Sequence, residues 1–326
     1  MSRKADNCLL HKAKANKKDE FYTQLEDIDK ELKYYKEHFA NKVVYCNCDD
    51  IKKSNFVNYF ISNFNQLKLK KLICSCYVES KYNLLNLDAY GNNGYYFEYT
   101  GINNTDSYRD TLKLKGDGDF RSQECINILK KADIIVTNPP FSLFREYIDQ
   151  LIKYNKKFLI IGNINSITYK NVFNLIQNNK AWLGINLGRG ISGFIVPEDY
   201  ELYGKETKID QHGRHIISPN NCLWLTNLDN KIRHERITLT KRYKGHEDFY
   251  PHFDNYNAIN VNKTSDIPVD FDGIMGVPIT FLHKFNPDQF KIIKFRKGDD
   301  DKDLTIKGKP TYFRILIKYN KIAPDR

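Results

Sequence analysis

No stretch of this sequence approaches the roughly 18 consecutive apolar residues of a membrane-spanning helix, so no membrane span is expected. The first residues, Met1 to Lys18, are basic and lack the apolar core of a secretory leader, which points to a cytoplasmic protein. Cysteine is scattered: the 7 residues stand at 8, 46, 48, 74, 76, 125 and 222, an odd set that does not make a disulfide framework. Cys46/Cys48 and Cys74/Cys76 have a C-x-C spacing that zinc sites use. Each pair ends an apolar run, however, where alternate residues share a face and cysteine serves as a small core residue, so no metal is expected. Internal repeats and long low-complexity tracts are also missing. Glycine is absent from Cys46 to Asn55, just after the first apolar run.

What is present sets the scale. A chain of 326 residues accommodates one large domain and a smaller one. A hydrophobic share of 41% supports a core, while a net charge of +11 and 13% aromatics fit a polyanionic partner, most simply nucleic acid.

One stretch organises the rest: Ala132-Asp133-Ile134-Ile135-Val136-Thr137-Asn138-Pro139-Pro140-Phe141. The β-branched run Ile134 to Val136 predicts a buried strand. Two prolines stop it, because they neither donate ladder hydrogen bonds nor continue a central strand. Ser142 is placed to cap a helix whose apolar face is Leu143, Phe144, Tyr147, Ile148, Leu151 and Ile152. Asn138 to Phe141 would then form a stiff turn at the carboxyl end of a strand, where open α/β sheets bind ligands. The Asn138 side-chain oxygen and the Pro139 carbonyl are two fixed acceptors. They suit an NH2 group conjugated to a ring: accepting both hydrogens draws the nitrogen towards tetrahedral geometry and aims its lone pair. Phe141 adds a flat face on which a base can stack.

Around this stretch the pattern alternates strand and helix. Residues 1–18 form a basic arm. Phe21-Tyr22-Thr23, with Thr23 as candidate cap, precedes a helix through Leu25, Ile28, Leu32, Tyr35 and Phe39. Lys42 to Asp50 is strand one, followed by a helix with Phe56, Tyr59, Phe60 and Phe64. Leu69 to Val78 is strand two, ending at Glu79, where dinucleotide-type folds engage ribose hydroxyls. Residues 80–110, with clusters of Gly, Asn and Tyr, read as loop with room for a hairpin. A short third strand from Leu112 ends in Gly116-Asp117-Gly118-Asp119-Phe120, and a helix from Cys125 to Lys131 leads into the central stretch. Phe158 to Asn163, Ala181 to Leu187 and Asn221 to Leu228 supply further strands, with Val172, Phe173, Leu175 and Ile176 on a helix. The alternation predicts an α/β domain with a mostly parallel sheet. From 229 the texture changes to a smaller basic α+β region. There Arg233, Arg236, Lys241, Arg242 and Lys244 are interleaved with Tyr243, Phe249 and Tyr250, a mixture suited to phosphate and base contact.

Asn138-Pro139-Pro140-Phe141 is the signature of amino-methyltransferases. With the cofactor-type motifs before it and the basic region after it, the chain resembles the EcoRI-type adenine-N6 DNA methyltransferases, which have the gamma order of motifs. Blocks at Leu10 to Lys14, Asp19 to Gln24, Val43 to Asp50, Thr137 to Tyr147, Lys157 to Ile161, Leu187 to Pro197, Ser218 to Leu228 and Gly276 to Pro287 carry the likeness over essentially the whole length.

The resemblance implies a Rossmann-like class I methyltransferase domain over 19–228 and a DNA target-recognition domain over 229–326. It implies transfer of a methyl group from S-adenosyl-L-methionine to adenine N6 in duplex GAATTC, within a restriction–modification system, by a monomer that bends DNA and flips the base. Asn138, Pro139, Pro140 and Phe141 become the catalytic set. Phe21, Tyr22, Thr23, Asn47, Asp49, Glu79, Asp119 and Phe120 become the cofactor set, with Asp119 accepting from the cofactor's adenine amine and Phe120 stacking on it. The glycine-free turn after strand one departs from the wider superfamily, so the methionine part of the cofactor must be held another way. Alternatives are an RNA or protein-glutamine amino-methyltransferase, or a DNA-binding protein without methyl transfer.

Overall fold

The computed structural model describes residues 22–48, 50–51, 53–78, 93–101, 111–186, 191–196, 207–218 and 221–320. The basic arm 1–18 lies outside the described residues. The chain divides into two compact units: Met1–Val172 with Gly184–Leu228, and Phe173–Leu183 with Asp229–Arg326.

The first unit holds strands β1 (Tyr22–Thr23), β2 (Val43–Asn47), β3 (Lys71–Cys76), β4 (Tyr95–Tyr99), β5 (Leu112–Lys113), β6 (Ile134–Thr137) and β7 (Lys157–Asn163). After β8 (Trp182–Leu183), which belongs to the second unit, come β9 (Phe194–Val196), β10 (Thr207–Ile209), β11 (His215–Ile217) and β12 (Cys222–Thr226). Within the first unit the main sheet runs β5-β4-β3-β2-β6-β7-β12. Its centre, β3-β2-β6-β7, is parallel. On the flanks β4, β5 and β12 pair antiparallel, so the sheet is mixed rather than mostly parallel. The sequence misses this because Cys222–Thr226 is buried at every position, as a central parallel strand also is. Burial reports a strand's faces and not its direction.

Helices α1 (Leu25–Leu32), α2 (Asn55–Ser62), α3 (Gln123–Lys131), α4 (Phe144–Lys153) and α5 (Lys170–Gln177) complete the described α-helices. Ser54 caps α2 by accepting from Phe56 N at 3.2 Å, whereas α1 starts after Gln24 with no side-chain cap, so Thr23 lies on β1 and caps nothing. Phe56 of α2 meets Trp224 of β12 edge-on, with ring centroids 6.0 Å apart, and Phe60 meets Phe39 at 5.3 Å. Cys46 and Cys74 are neighbours on β2 and β3, and both are buried. No group of metal-ligating side chains occurs among the described residues, and no helix there is long and apolar enough to cross a membrane.

A second sheet, β1-β9-β11-β10, is antiparallel throughout. Two buried carboxylates on α1 secure the chain that leads into it. Asp27 accepts from Ser192 N at 2.7 Å and Ser192 Oγ at 2.9 Å. Glu31 accepts from Ile185 N and Asn186 N, both at 2.8 Å, and from Tyr35 Oη at 3.1 Å. Removing Glu31 leaves two part-buried backbone N–H groups without their acceptor, so Glu31→Ala should cost about 1–3 kcal/mol of stability in urea unfolding. A loss under about 0.5 kcal/mol would mean that water replaces the carboxylate.

In the second unit β13 (Ala258–Asn260) runs parallel to β14 (Ile274–Pro278), and β18 (Arg314–Tyr319) lies antiparallel between β14 and β15 (Phe290–Phe295). A small hairpin pairs β16 (Thr305–Ile306) with β17 (Lys309–Pro310). Residues 229–320 contain strands and 3-10 turns and no α-helix, which corrects the α+β expectation. Prolines at 251, 268, 278, 287 and 310 punctuate this region and leave little uninterrupted helix-forming sequence. The described α-helical residues of this unit are Phe173–Gln177, where Phe173 stacks on Phe295 at 4.9 Å and Gln177 donates to Ile293 O at 2.6 Å.

Candidate active site

β6 is buried along its whole length, and the chain leaves its carboxyl end as Asn138. The exit is braced from two sides. The Thr137 hydroxyl donates to the Asn47 carbonyl at the end of β2, and the Tyr147 hydroxyl of α4 donates to Asn47 Oδ1. Asn47 therefore ties β2, β6 and α4 together. Asn138 is half-buried with its Oδ1 shielded from solvent, and Pro139 is buried.

Phe141 to Leu143 form a 3-10 turn, closed by Leu143 N donating to Pro140 O at 3.0 Å, and α4 begins at Phe144. The expected Ser142 cap is thus corrected: Ser142 lies inside the turn, and Leu143 occupies the cap position without a side-chain bond. Two fixed proline φ angles delay the helix by that one turn. The Phe144 ring then covers β7 so closely that a Cβ on Gly162 would lie 2.6 Å from it. That glycine lets α4 seat against the sheet and fixes the direction of the turn. Phe141 meets the fully buried Phe194 of β9 edge-on, with centroids 6.3 Å apart and planes at 71°.

The described cofactor candidates Tyr22, Thr23, Asp119 and Phe120 stand near the segments that follow β2 and β3. Thr23 pairs with Phe194 across β1 and β9, and its carbonyl accepts from Asn55 Nδ2 at 2.8 Å at the start of α2. Thr23 Oγ1 is buried with no hydrogen-bond partner among the described residues. Tyr22 lies beneath Lys53, whose Nζ is 5.8 Å from the ring centroid. Where glycine is missing after β2, Cys48 itself takes the left-handed backbone, with φ 73°. Asp119 and Phe120 follow a turn pressed onto β3: Val78 N donates to Asp117 O at 2.9 Å, and a Cβ on Gly118, at φ 86°, would sit 2.2 Å from the Cys76 carbonyl.

Burial would raise the Asp119 carboxyl, but the Arg121 guanidinium beside it, with Nη2 2.6 Å from Oδ2, outweighs that and holds it below the usual carboxylate range. Phe120 is buried edge-on against Tyr147 at 5.1 Å. Phe21, Asp49 and Glu79 lie outside the described residues. Sequence reasoning missed Tyr147, Arg121 and Phe194. Tyr147 was legible as a hydroxyl on an otherwise apolar helix face, since a buried hydroxyl needs a partner.

The sequence matches the family described as "Adenine-specific methyltransferase EcoRI" over residues 9–320. The chain belongs to that family. It is 65% identical to the type II methyltransferase M.EcoRI of Escherichia coli over 325 residues, which is 99% of each chain. Two mycoplasma relatives are more distant. M.MgeORF184P of Mycoplasma genitalium is 38% identical over 96% of this chain and 99% of its own. M.MpnI of Mycoplasma pneumoniae is 35% identical over 95% and 97%. No solved structure matches. Membership makes the chain an adenine-specific DNA methyltransferase of type II.

In the second unit of this EcoRI-family methyltransferase, the five basic candidates separate. Arg236, Lys241, Arg242 and Lys244 are exposed. The Lys241–Lys244 turn is held by Asp270, which accepts from Tyr243 N at 2.6 Å and Lys244 N at 3.3 Å, so these side chains project from a fixed backbone. Arg236 donates to Tyr319 Oη at 3.1 Å. Arg233 differs: its side chain is 7% exposed, its guanidinium lies 3.8 Å from the Trp182 ring centroid, and it donates to Asn179 and Asp229. It is a structural residue, which corrects its placement among the DNA contacts. Arg233→Ala should lower unfolding stability by about 1–3 kcal/mol and leave the salt dependence of DNA binding unchanged. Arg242→Ala should do the reverse, reducing the slope of log K against log salt by about one phosphate's worth. Equal slopes for Arg242→Ala and the unaltered protein would remove Arg242 from the interface.

Proposed function

We propose that this methyltransferase transfers a methyl group from S-adenosylmethionine to N6 of adenine in duplex DNA, within GAATTC. It would act as a cytoplasmic monomer that protects host DNA from a cognate endonuclease. The observation that carries the reading is the braced exit of β6: Asn138 and Pro139 follow a strand end locked by Thr137, Asn47 and Tyr147, and Phe141 stands beside them. Rigidity matters here because two acceptors orient an amine only if neither moves; much of the acceleration is proximity and orientation.

Asn138 Oδ1 and the Pro139 carbonyl accept hydrogen bonds from the two N6 hydrogens; as the N6–CH3 bond forms, the S–CH3 bond of the sulfonium would break to leave a thioether, and one N6 proton would then leave to solvent. Phe141 stacks on the base, and Phe194, which meets it edge-on, buttresses the ring. The sulfonium of the bound cofactor supplies an already activated methyl group. The residues present fit that cofactor: the Thr23 hydroxyl is a buried polar atom in need of a partner, and Asp119 is an ionised acceptor next to the buried ring of Phe120. Tyr22 adds a second aromatic face beside Thr23. Asn47 acts through Tyr147 and Thr137, as a brace. Arg236, Lys241, Arg242 and Lys244 of the C-terminal unit contact phosphate.

Labelling with a radioactive methyl donor, on duplexes with and without GAATTC, on structured RNA and on protein, tests the reading. Label only in GAATTC duplexes, recovered as N6-methyladenine, is expected. Label in RNA or glutamine amide instead would overturn it.

A further inference from the structure

The sheet end that carries Asn138 also carries a cation with no ion-pair partner among the described residues. Arg145 is the second residue of α4, is exposed, and follows Asn138 by seven residues. Its guanidinium carbon lies 4.0 Å from the centroid of the Tyr169 ring. Tyr169 follows the 3-10 turn Ile164–Thr168 that leaves β7, the strand paired in parallel with β6. The stack therefore bridges the chain segments leaving two neighbouring strands at their carboxyl ends. A guanidinium held by its face keeps its edge N–H groups for bidentate bonding to an oxyanion.

The surrounding charges sharpen this. Arg121, the other arginine near α4, is committed to Asp119 and to Glu146, at 2.6 and 3.1 Å. That leaves Glu146 engaged, and Asp149 accepts from Asn171 at 2.8 Å. Among the described residues Arg145 has no ion-pair partner. A cation in the first turn of a 10-residue helix also opposes the helix dipole, and no side chain caps that end. Both features are relieved by an anion.

We propose that Arg145 is a phosphate-binding residue that grips the target strand beside the flipped adenine. The proposal rests on the duplex-DNA reading above. A nucleotide whose base enters the Asn138 turn must bring its own backbone to the rim of that turn, and Arg145 stands there. Tyr169 is a positioning residue that fixes the guanidinium.

The test uses the full chain, cofactor, and cognate duplexes carrying one neutral methylphosphonate at each position around the target adenine in turn. The unaltered protein should lose about tenfold or more in affinity at one position. Arg145→Gln should start about tenfold weaker, show a salt slope smaller by about one, and be indifferent to that methylphosphonate. Arg145→Lys should recover part of the affinity, and Tyr169→Phe should behave like the unaltered protein while Tyr169→Leu weakens binding. An Arg145→Gln protein with the full salt slope and the unaltered response to every methylphosphonate would overturn the proposal. So would a loss confined to cofactor affinity, which would assign the cation to the cofactor carboxylate. An unaltered protein that methylates no duplex would strike the wider reading instead, and is seen before any variant is made.

Discussion

Asn138→Ala is expected to lower single-turnover methylation by about 100- to 1,000-fold while binding of the cognate duplex persists. The size follows from what is removed. An aromatic amine holds its lone pair in the ring system, and the two acceptors at Asn138 and Pro139 work together to draw it out. With only the Pro139 carbonyl left, one N6 hydrogen stays bonded and the nitrogen is no longer drawn towards tetrahedral geometry. Binding persists because affinity for DNA comes mainly from phosphate contacts. The residue stands at the end of a fully buried strand and is itself half-buried, so truncation leaves the packing of β6 in place. Asn138→Asp is the companion variant, since a carboxylate still accepts hydrogen bonds and should retain more activity than alanine. Rapid-quench measurement under single-turnover conditions reads the chemical step directly. Near-normal rates for Asn138→Ala would remove the residue from the chemistry.

The core of this site was legible because its signals are covalent and local. A β-branched run stopped by two prolines gives β6 and its exit almost to the residue, and Phe144, Tyr147, Ile148 and Leu151 keep helical spacing whatever caps the helix. What stayed hidden depends on partners distant in sequence. The Asn47–Tyr147 bond joins residues 100 positions apart, and Phe194 reaches Phe141 only because β9 pairs with β1 in a second sheet. Strand direction was hidden for a related reason: β12 buries the same residue types a parallel strand would. Arg233 shows the opposite failure. As one of several basic residues in a row it read as a DNA contact, and only Trp182, Asn179 and Asp229 around it reveal that its charge is already used. Cys48 shows how a missing glycine is met: the sequence flags its absence, and the backbone supplies the left-handed turn with cysteine instead.

Phe141→Ala is expected to lower methylation about 5- to 100-fold, and the mechanism makes it distinguishable from any loss of acceptors. Base–aromatic stacking contributes about 1–3 kcal/mol, and for a flipped adenine that energy offsets the few kcal/mol needed to leave the duplex. Losing the ring therefore acts on extrusion before it acts on transfer. With 2-aminopurine at the target position, the unaltered protein should hold the flipped base against Phe141, which would quench part of its emission. Phe141→Ala removes the quencher, so the molecules that do flip should shine brighter, while the fraction flipped falls. Phe141→Tyr keeps the stack and should stay close to the unaltered protein in both rate and emission. Phe194→Leu provides the structural control, because Phe194 is fully buried and touches Phe141 only edge-on. It should loosen the Phe141 ring and lower activity less than Phe141→Ala. Time-resolved fluorescence separates the flipped fraction from its brightness. If Phe141→Ala shows the same flipped fraction and the same lifetime as the unaltered protein, the ring does not touch the base, and the target adenine is held by another surface.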